Sequence, residues 1–428
     1  MSTFILIWFG QLLSIVGSGM TGFALGVWTY QNTGSVTELG LIYFFTELPA
    51  ILVAPLAGAI ADQFDRRWVM IVSNVGAGMS TLAIALLMVL GNLESWHIYL
   101  AMAISSTCKG FLAPAYYAAT TLLVPKQHFG RAGGMIQLGV ASERLFSPIL
   151  AGALIAISSI HNVIAIDCLT FLVALCSLLI IRFPQPPKLQ ANPGGKGSLW
   201  RESAYGWNYI AARPGLLIMT IFFAITNFTV GIAQVLVTPM VLSFANPQVL
   251  SQILSIGGSG WLFGSLTMSV WGGAKRRINA TLGFELLLGL GIVAMGLRPD
   301  PVLITMAVFV GFFSIPIIVG TSNAIWQVKV APEVQGRVFA MRGALSWSSF
   351  PLAYLVAGPL ADRIFEPMMM NHGFLAQCFG AIVGVGQGRG IALLFVFVGL
   401  FVILVTIAAY QYPPLRCVEH ELPDFVSL

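Results

Sequence analysis

Charge is the scarcest property of this 428-residue sequence: only 9% of it is Asp, Glu, Lys or Arg, whereas 57% is hydrophobic. An ordinary soluble domain contains about 25% charged residues, which cover its water-facing surface. The whole stretch from Pro214 to Ala274 has none of them. A membrane-spanning helix needs roughly 20 apolar residues. The sequence therefore excludes a soluble fold and predicts an all-α membrane protein that crosses the bilayer many times.

Several other patterns are also missing. The five cysteines have no paired spacing, and the histidines form no cluster, so we expect neither a disulfide framework nor a metal site. The sequence has no Gly-Lys-Ser/Thr phosphate loop, which argues against an ATP-driven pump. The scattered histidines argue against a membrane-embedded enzyme, and the lack of a large extramembrane stretch argues against a sensor. Its net charge of +5 comes from short basic groups, which do not indicate nucleic-acid binding. No cofactor is expected.

Turn-like breaks divide the chain into twelve candidate spans. They cover 4–30, 36–61, 68–90, 98–124, 132–158, 162–181, 214–243, 249–272, 279–297, 301–328, 338–361 and 390–411. With a cytoplasmic N-terminus, fifteen basic residues fall in inside loops and three in outside loops. This asymmetry predicts a multi-pass protein of the plasma (inner) membrane with both termini in the cytoplasm. We interpret the apolar N-terminus as the first span rather than a cleaved signal peptide.

The two halves of the chain resemble each other. Gly130-Arg131 opens the fifth span and Gly336-Arg337 opens the eleventh, an offset of 206 residues. We predict a six-helix bundle at 1–182, a cytoplasmic linker at 183–213, a second six-helix bundle at 214–411 and a cytoplasmic tail at 412–428. The linker pattern from Ser198 to Ala212 is typical of an amphipathic helix on the membrane surface. Repeated six-helix units are a known transporter architecture.

A loop motif follows the second span. Gly58, Asp62, Asp65, Arg66 and Arg67 fit the pattern G-x-x-x-D-[RK]-x-[GD]-R-[RK], except that Gln63 stands where a base is usual. The motif resembles the loop signature of the major facilitator superfamily, and the resemblance covers essentially the whole chain. It implies the twelve-helix major facilitator fold with two six-helix pseudo-repeats. We favour a role for Asp62 in a cytoplasmic gate. The alternative is that these charges only mark a loop and fix its orientation.

The fifth span carries a partial match to the antiporter signature of the superfamily. Gly134, Pro148 and Gly152 match, whereas Ser147 and Glu143 replace glycines. Short sequence stretches, including residues 17–21 and Gly336 to Ala340, resemble the macrolide-efflux and enterobactin-exporter branch of the superfamily. This resemblance implies a monomeric, proton-coupled exporter of natural products or drugs.

Four charges lie near predicted midplanes, where each costs about 2.5–3.5 kcal/mol on insertion scales. They are Glu47, Lys109, Glu143 and Arg144. Our hypothesis is that Glu47 or Glu143 exchanges the coupling proton, and the alternative is a buried structural ion pair such as Glu143 with Lys109.

Other intramembrane charges are harder to interpret. Arg342 is expected to extend towards the nearby membrane surface. Asp167 is expected to cap a helix or pair locally, and no role is assigned to Glu285 of the ninth span.

Uncharged polar side chains define a candidate substrate cavity. They are Gln11, Gln137, Asn227, Gln234, Asn323, Trp326 and Gln327. Each alone can bridge two helices instead. Together they favour a bulky amphipathic substrate, exported against protons, and the alternatives are a lipid or lysolipid flippase and an importer. The outer loop from Asp362 to Arg389 is either a re-entrant lid or a flexible tether.

Overall fold

The computed structural model describes residues 2–125, 128–181, 199–274, 276–331, 334–370 and 373–421, and these form a helical protein. The helices of the first half are α1 (Ser2–Thr33), α2 (Val36–Gln63), α3 (Arg66–Val89), α4 (Ser95–Leu123), α5 (Phe129–Ile157) and α6 (Ile160–Ile180). The remaining helices are α7 (Leu199–Ala211), α8 (Pro214–Leu242), α9 (Pro247–Trp271), α10 (Arg277–Leu297), α11 (Pro301–Lys329), α12 (Gln335–Trp347), α13 (Ser349–Pro359), α14 (Glu366–Met369), α15 (Phe374–Val383), α16 (Arg389–Gln411), α17 (Pro413–Arg416) and α18 (Val418–Glu421). A π-helical turn, Leu360–Phe365, joins α13 to α14.

Ten of the described helices are long and apolar enough to cross a membrane. They correspond to ten of the predicted spans. The fourth predicted span is α4, a 29-residue helix that carries Lys109 near its middle. The eleventh is divided into α12 and α13 at Ser348. The all-helical, multi-span architecture is thus confirmed, and the exact count of twelve stays a prediction.

The described residues group into two compact units. The first contains α1 to α6 and residues 245–255, and the second contains α7, α8, the rest of α9 and α10 to α18. Within the first unit, α1 packs against both α5 and α6, while α3 packs against α4 and α6. Within the second unit, α10 packs against α11 and α16, and α8 packs against α13.

The predicted linker helix forms as α7, although residues 182–198 lie outside the described part. It packs against α12. A Cβ atom on Gly206 would lie only 2.7 Å from the Arg337 carbonyl oxygen, so glycine allows this close approach. The Arg337 guanidinium also lies 5.7 Å from the Tyr205 ring centroid. The linker helix is therefore held to the second unit, and its placement on a membrane surface stays a prediction.

The segment between α13 and α16 is folded, so the flexible-tether interpretation is wrong for its described part. Met369 and Val383 are buried together with Leu393 of α16, and Phe365 and Phe379 pack around them. The Glu366 carboxylate accepts hydrogen bonds from the backbone N–H groups of Ile391 (2.8 Å) and Gly388 (3.1 Å), where α16 begins. A carboxylate in this position satisfies N–H groups that have no partner inside the helix.

Candidate functional site: a cavity in the first unit

A cavity of about 250 Å³ lies within the first unit, among α1, α3, α4, α5 and α6. Most of its wall is apolar, and a few polar and charged side chains interrupt it. The lining residues are Trp8, Gln11, Leu12, Ser14, Ile15, Ser18, Asn74, Ala77, Gly78, Thr81, Lys109, Leu112, Ala113, Tyr116, Tyr117, Ile136, Gly139, Val140, Glu143, Asp167 and Phe171. An apolar concave surface with a small number of placed polar groups is the usual form of a small-molecule site.

One face of α1 forms a wall of this cavity. Trp8, Gln11, Ile15 and Ser18 are three or four residues apart, so they lie along one side of the helix over roughly 15 Å. Gln11 is buried, and its Nε2 atom has no hydrogen-bond partner among the described residues. The hydroxyl of Tyr116 on α4 is likewise buried and unpartnered. Buried donors without partners are costly unless a ligand or water satisfies them.

Two of the four predicted intramembrane charges lie at this cavity. Lys109 and Glu143 both line the cavity. Glu47 is absent from the lining, but the charges of Lys109, Arg144 and Glu143 all act on it. The clustering of all four charges at one site stays a prediction. Whether these groups exchange a proton or form a structural ion pair stays a prediction.

Glycine positions explain how a glutamate fits into α5. A Cβ atom on Gly19 of α1 would lie 2.9 Å from Cγ of Glu143 and 2.5 Å from Oγ of Ser147. The Ser147 hydroxyl donates to the Val16 carbonyl of α1 at 2.9 Å. In the antiporter signature, glycines on the fifth span allow helices to pack closely. In this chain a glycine of α1, Gly19, allows the close packing of α1 against α5. The two replacements at 143 and 147 are compatible with tight packing.

The remaining antiporter-like positions differ from one another. A Cβ atom on Gly134 would meet nothing within 4 Å, so no close packing requires glycine there. Pro148 lies inside α5. A Cβ atom on Gly152 would overlap the Ser251 side chain, in the segment that groups with this unit.

Asp167 of α6 lies at the cavity, a position that the sequence did not predict. It is only 2% exposed and lines the cavity next to Ser18 and Thr81. The hydroxyls of Ser18 and Thr81 donate to its two carboxylate oxygens at 3.3 and 3.4 Å. Its place in the second turn of α6 suggested a local cap. Its hydrogen bonds to hydroxyls on α1 and α3 depend on how these helices pack against α6, and the sequence alone does not show that packing.

The loop motif holds three helix ends together. The Asp65 side chain caps α3 by accepting from the Arg67 N–H at 2.9 Å. The Arg67 guanidinium donates to the carbonyl oxygens of Leu178 (3.0 Å) and Leu179 (2.7 Å), near the end of α6. Arg66 donates to the Ala118 carbonyl of α4 at 3.0 Å. Cations are favourable at helix C-termini, where carbonyl groups lack partners. Gly58 and Asp62 belong to α2, but their surroundings lie outside the described part, so the gate role of Asp62 stays a prediction.

The amides predicted on the seventh span join helices of the second unit. Asn227 of α8 donates to the Ser346 carbonyl of α12 at 2.9 Å. Gln234 of α8 accepts from the Tyr354 hydroxyl of α13 at 3.3 Å. These contacts match the helix-bridging alternative. Gln137 of α5 is exposed and is not among the residues that line the cavity of the first unit.

The polar residues predicted on the tenth span surround Arg342. Its guanidinium donates to Asn323 Oδ1 (2.9 Å) and Ser322 Oγ (2.8 Å), and it lies 4.9 Å from the Trp326 ring centroid. These hydrogen bonds and the aromatic face hold the Arg342 side chain against α11, and its extension towards the membrane surface stays a prediction. Gln327 is exposed on the same helix.

Comparisons with known proteins agree with this architecture. A sequence model described as the Major Facilitator Superfamily matches residues 7–354. Macrolide efflux protein A of Streptococcus pyogenes is 25% identical over 379 residues, which cover 87% of this chain and 91% of that protein. The multidrug efflux pump Tap of Mycolicibacterium fortuitum is 24% identical over 372 residues, covering 84% and 89%.

Solved structures show the same fold. The crystal structure of the nucleoside transporter NupG superposes with a TM-score of 0.71 at 15% identity, covering 96% of this chain and 100% of that chain. A bacterial homolog of the human lysosomal transporter Spinster, in an inward-facing and unoccupied conformation, gives 0.72 at 14% identity, covering 97% and 96%.

Proposed function

We propose that this chain, which belongs to the major facilitator superfamily, exports a bulky amphipathic natural product or drug in exchange for protons. The family and the relatives are transporters, so the chain is a multi-pass membrane transporter and not an enzyme. The efflux relatives support the outward direction. The fifteen-to-three basic asymmetry supports a plasma (inner) membrane location with cytoplasmic termini.

The cavity of the first unit carries this proposal. Its wall is mainly apolar, and the unpartnered Gln11 amide and Tyr116 hydroxyl offer hydrogen bonds to a substrate. Pockets that bind drug-sized ligands usually measure about 300–1,000 Å³. The cavity of about 250 Å³ would therefore hold one part of a macrolide-sized molecule. An aromatic and amide wall suits the apolar face of such a molecule and one or two of its oxygens.

Glu143 is the stronger of the two predicted coupling carboxylates. It lines the cavity together with Lys109, whereas Glu47 does not line it. A carboxyl group in this position can release its proton when a substrate arrives and take up another after the substrate leaves. A membrane potential supplies about 2.3 kcal/mol per charge for each 100 mV, which is enough to drive accumulation.

The loop motif supports alternating access by rocking of whole bundles. Asp65, Arg66 and Arg67 connect the ends of α3, α4 and α6 through side-chain to backbone hydrogen bonds. Such connections let the first unit move as one body, and rocking of one repeat against the other is the general transporter mechanism.

The test is transport in proteoliposomes with an imposed pH gradient. Erythromycin serves as the macrolide probe, and a fluorescent lysolipid tests the flippase alternative. We expect gradient-driven erythromycin movement that a protonophore abolishes and that the Glu143→Gln variant does not show. Movement of the lysolipid alone, or erythromycin movement that ignores the gradient, would overturn the proposal. Accumulation in the opposite direction would favour an importer.

A further inference from the structure

A second carboxyl group lies at the Ser18 end of the cavity, away from Trp8 and Gln11 along α1. Asp167 is 2% exposed, and Glu143 shares the same cavity with it. The coupling scheme proposed above uses Glu143 and leaves Asp167 without a task. A buried ionisable side chain inside a membrane helix is expensive, and it is a functional-site candidate for that reason.

The partners of Asp167 suit a carboxyl group that carries a proton. Ser18 and Thr81 donate to its two oxygens over 3.3 and 3.4 Å, at the long end of the hydrogen-bond range. Both partners are neutral, and a neutral hydroxyl compensates a buried negative charge poorly. The same hydroxyls can rotate and accept from a protonated carboxyl. The cluster can therefore satisfy Asp167 in either protonation state.

The packing helices supply one cation and one further acid to this cluster. Lys109 of α4 lines the cavity, and its charge acts on Asp167. Glu143 of α5 lines it as well. From α1 and α3 the facing groups are the hydroxyls of Ser18, Thr21 and Thr81. The Lys109 ammonium stabilises the ionised form of Asp167, so the balance depends on whatever else occupies the cavity near that ammonium.

Glycine brings α1 against the carboxyl group. A Cβ atom on Gly17 would lie 2.9 Å from Asp167 Oδ1 and would overlap the Thr170 hydroxyl. A larger residue at 17 would separate α1 from α6 and move Ser18 away from Asp167. The hydroxyl cluster therefore depends on a particular helix approach.

We propose that Asp167, held between the Ser18 and Thr81 hydroxyls, is a proton-binding site whose proton is exchanged during the transport cycle. This inference rests on the proton-coupled export proposed above and adds a second site to it. In the exchange the carboxyl O–H bond breaks, the proton passes to water in the cavity, and the Lys109 ammonium offsets the carboxylate charge. The reverse step restores the O–H bond from a proton of the opposite compartment.

Proton binding can be measured without any substrate. Purified protein in lipid nanodiscs is titrated from about pH 4 to pH 9, a range that begins near the ordinary carboxyl pKa values, while infrared difference spectra record the carbonyl stretch of protonated carboxyl groups. We expect one titrating band to disappear in Asp167→Asn and to persist in Glu143→Gln. Asp167→Glu should restore a titrating band at a shifted position. Spectra of Asp167→Asn that match the wild type would overturn the inference.

Two further variants guard against a folding defect in Asp167→Asn. Ser18→Ala and Thr81→Val keep the carboxyl group but remove its hydroxyl partners, so the midpoint of the Asp167 band should shift in both. Unchanged midpoints would count against the hydroxyl cluster. The titration is repeated with choline in place of sodium. A midpoint that depends on sodium would overturn the proposal in favour of a sodium site built from the same oxygens.

Transport measurements then connect the site to the cycle. Erythromycin is the transport probe. The protonated fraction of a single coupling site changes up to about tenfold per pH unit, and the wild-type transport rate should change with it. Asp167→Asn should weaken this dependence, because only Glu143 then exchanges a proton. If the wild type moves no erythromycin but the Asp167 band still titrates, the proposed function fails and the proton site stands. If the wild type couples to the gradient and Asp167→Asn couples equally, the inference fails alone.

Discussion

Charged side chains within the predicted spans have different surroundings in the two units. In the first unit, Lys109, Glu143 and Asp167 line one cavity. In the second unit, Arg342 is bound to Asn323 and Ser322 of the neighbouring helix. The two halves share a helix pattern, but these charged side chains have different surroundings in each. Charged side chains of the first unit thus line a cavity, whereas this arginine of the second unit joins two helices.

The same contrast appears where equivalent helices begin. Asp65, the residue just before α3, caps that helix from within the loop motif. In the second unit, the Glu419 carboxylate of α18 accepts from the N–H groups of Arg277 (3.2 Å) and Ile278 (3.0 Å) at the start of α10. The Lys329 ammonium donates to the Glu419 carbonyl at 2.5 Å. A local cap in one half corresponds to a cap from a distant part of the chain in the other.

The largest effect should come from the cavity carboxylate. Glu143→Gln removes the group that we propose to exchange a proton, so gradient-driven erythromycin transport should fall by about tenfold or more, which corresponds to roughly 1.4 kcal/mol or more in the coupled step. Glu47→Gln is the matched control outside the cavity lining. Equal losses in the two variants would remove the distinction that the cavity makes between them.

Arg342 and Lys109 test the contrast between the units directly. Arg342→Met leaves the oxygens of Asn323 and Ser322 without their donor, so we expect the free energy of unfolding to fall by about 1–3 kcal/mol. Lys109→Met removes a charge that faces a cavity, and it should alter transport with little loss of stability. Thermal unfolding in detergent measures the first effect. A more destabilising Lys109→Met would reverse the comparison.

Gly17→Ala tests the approach of α1 to α6. The added methyl group would crowd Asp167 and Thr170, and overpacking of this kind costs about 1–3 kcal/mol. Gly22→Ala on the same helix is the control, because a Cβ atom there meets nothing within 4 Å. We expect a lower midpoint of thermal unfolding for Gly17→Ala only. Similar midpoints would mean that the two helices can separate at no cost.

Glu419→Gln tests the distant cap. The amide keeps one acceptor but loses the charge, so α10 should lose a few tenths of a kcal/mol to about 1 kcal/mol. Asp65→Asn at the start of α3 is the matched change in the other half. Hydrogen exchange at the first N–H groups of the two helices gives the readout. Faster exchange is expected at Arg277 and Ile278 in Glu419→Gln, and an unchanged rate would contradict the cap.

The smallest effect concerns the outer segment. Burial raises the pKa of the Glu366 carboxyl, while the N–H groups of Ile391 and Gly388 oppose the rise. The folded form then binds this proton more tightly than the unfolded form, whose pKa is about 4.3. The resulting stabilisation is complete below that value and is lost as pH rises through the folded pKa. The difference between the unfolding midpoints of the wild type and of Glu366→Gln should therefore decline with rising pH. A constant difference would contradict the shift.

Composition and charge asymmetry were enough to predict the helical membrane fold, because lipid requires long apolar helices. The loop motif identified the family. Lys109 and Glu143 could be singled out from the sequence, since both are charges at similar depths in neighbouring spans, and both line the cavity. The position of Asp167 at the cavity was not predictable, because its partners depend on how α1 and α3 rotate against α6. The contact of Arg342 with α11 likewise depends on a packing register that helical periodicity leaves open.

The contact between Glu419 and α10 affects how the protein should be handled. A deletion that ends before Val418 would remove the acceptor for Arg277 and Ile278 and the carbonyl that receives Lys329. A purification tag placed directly after Glu419 would crowd the same position. Laboratories that produce the transporter should therefore keep the chain intact through α18 and separate any fused tag from it by a linker.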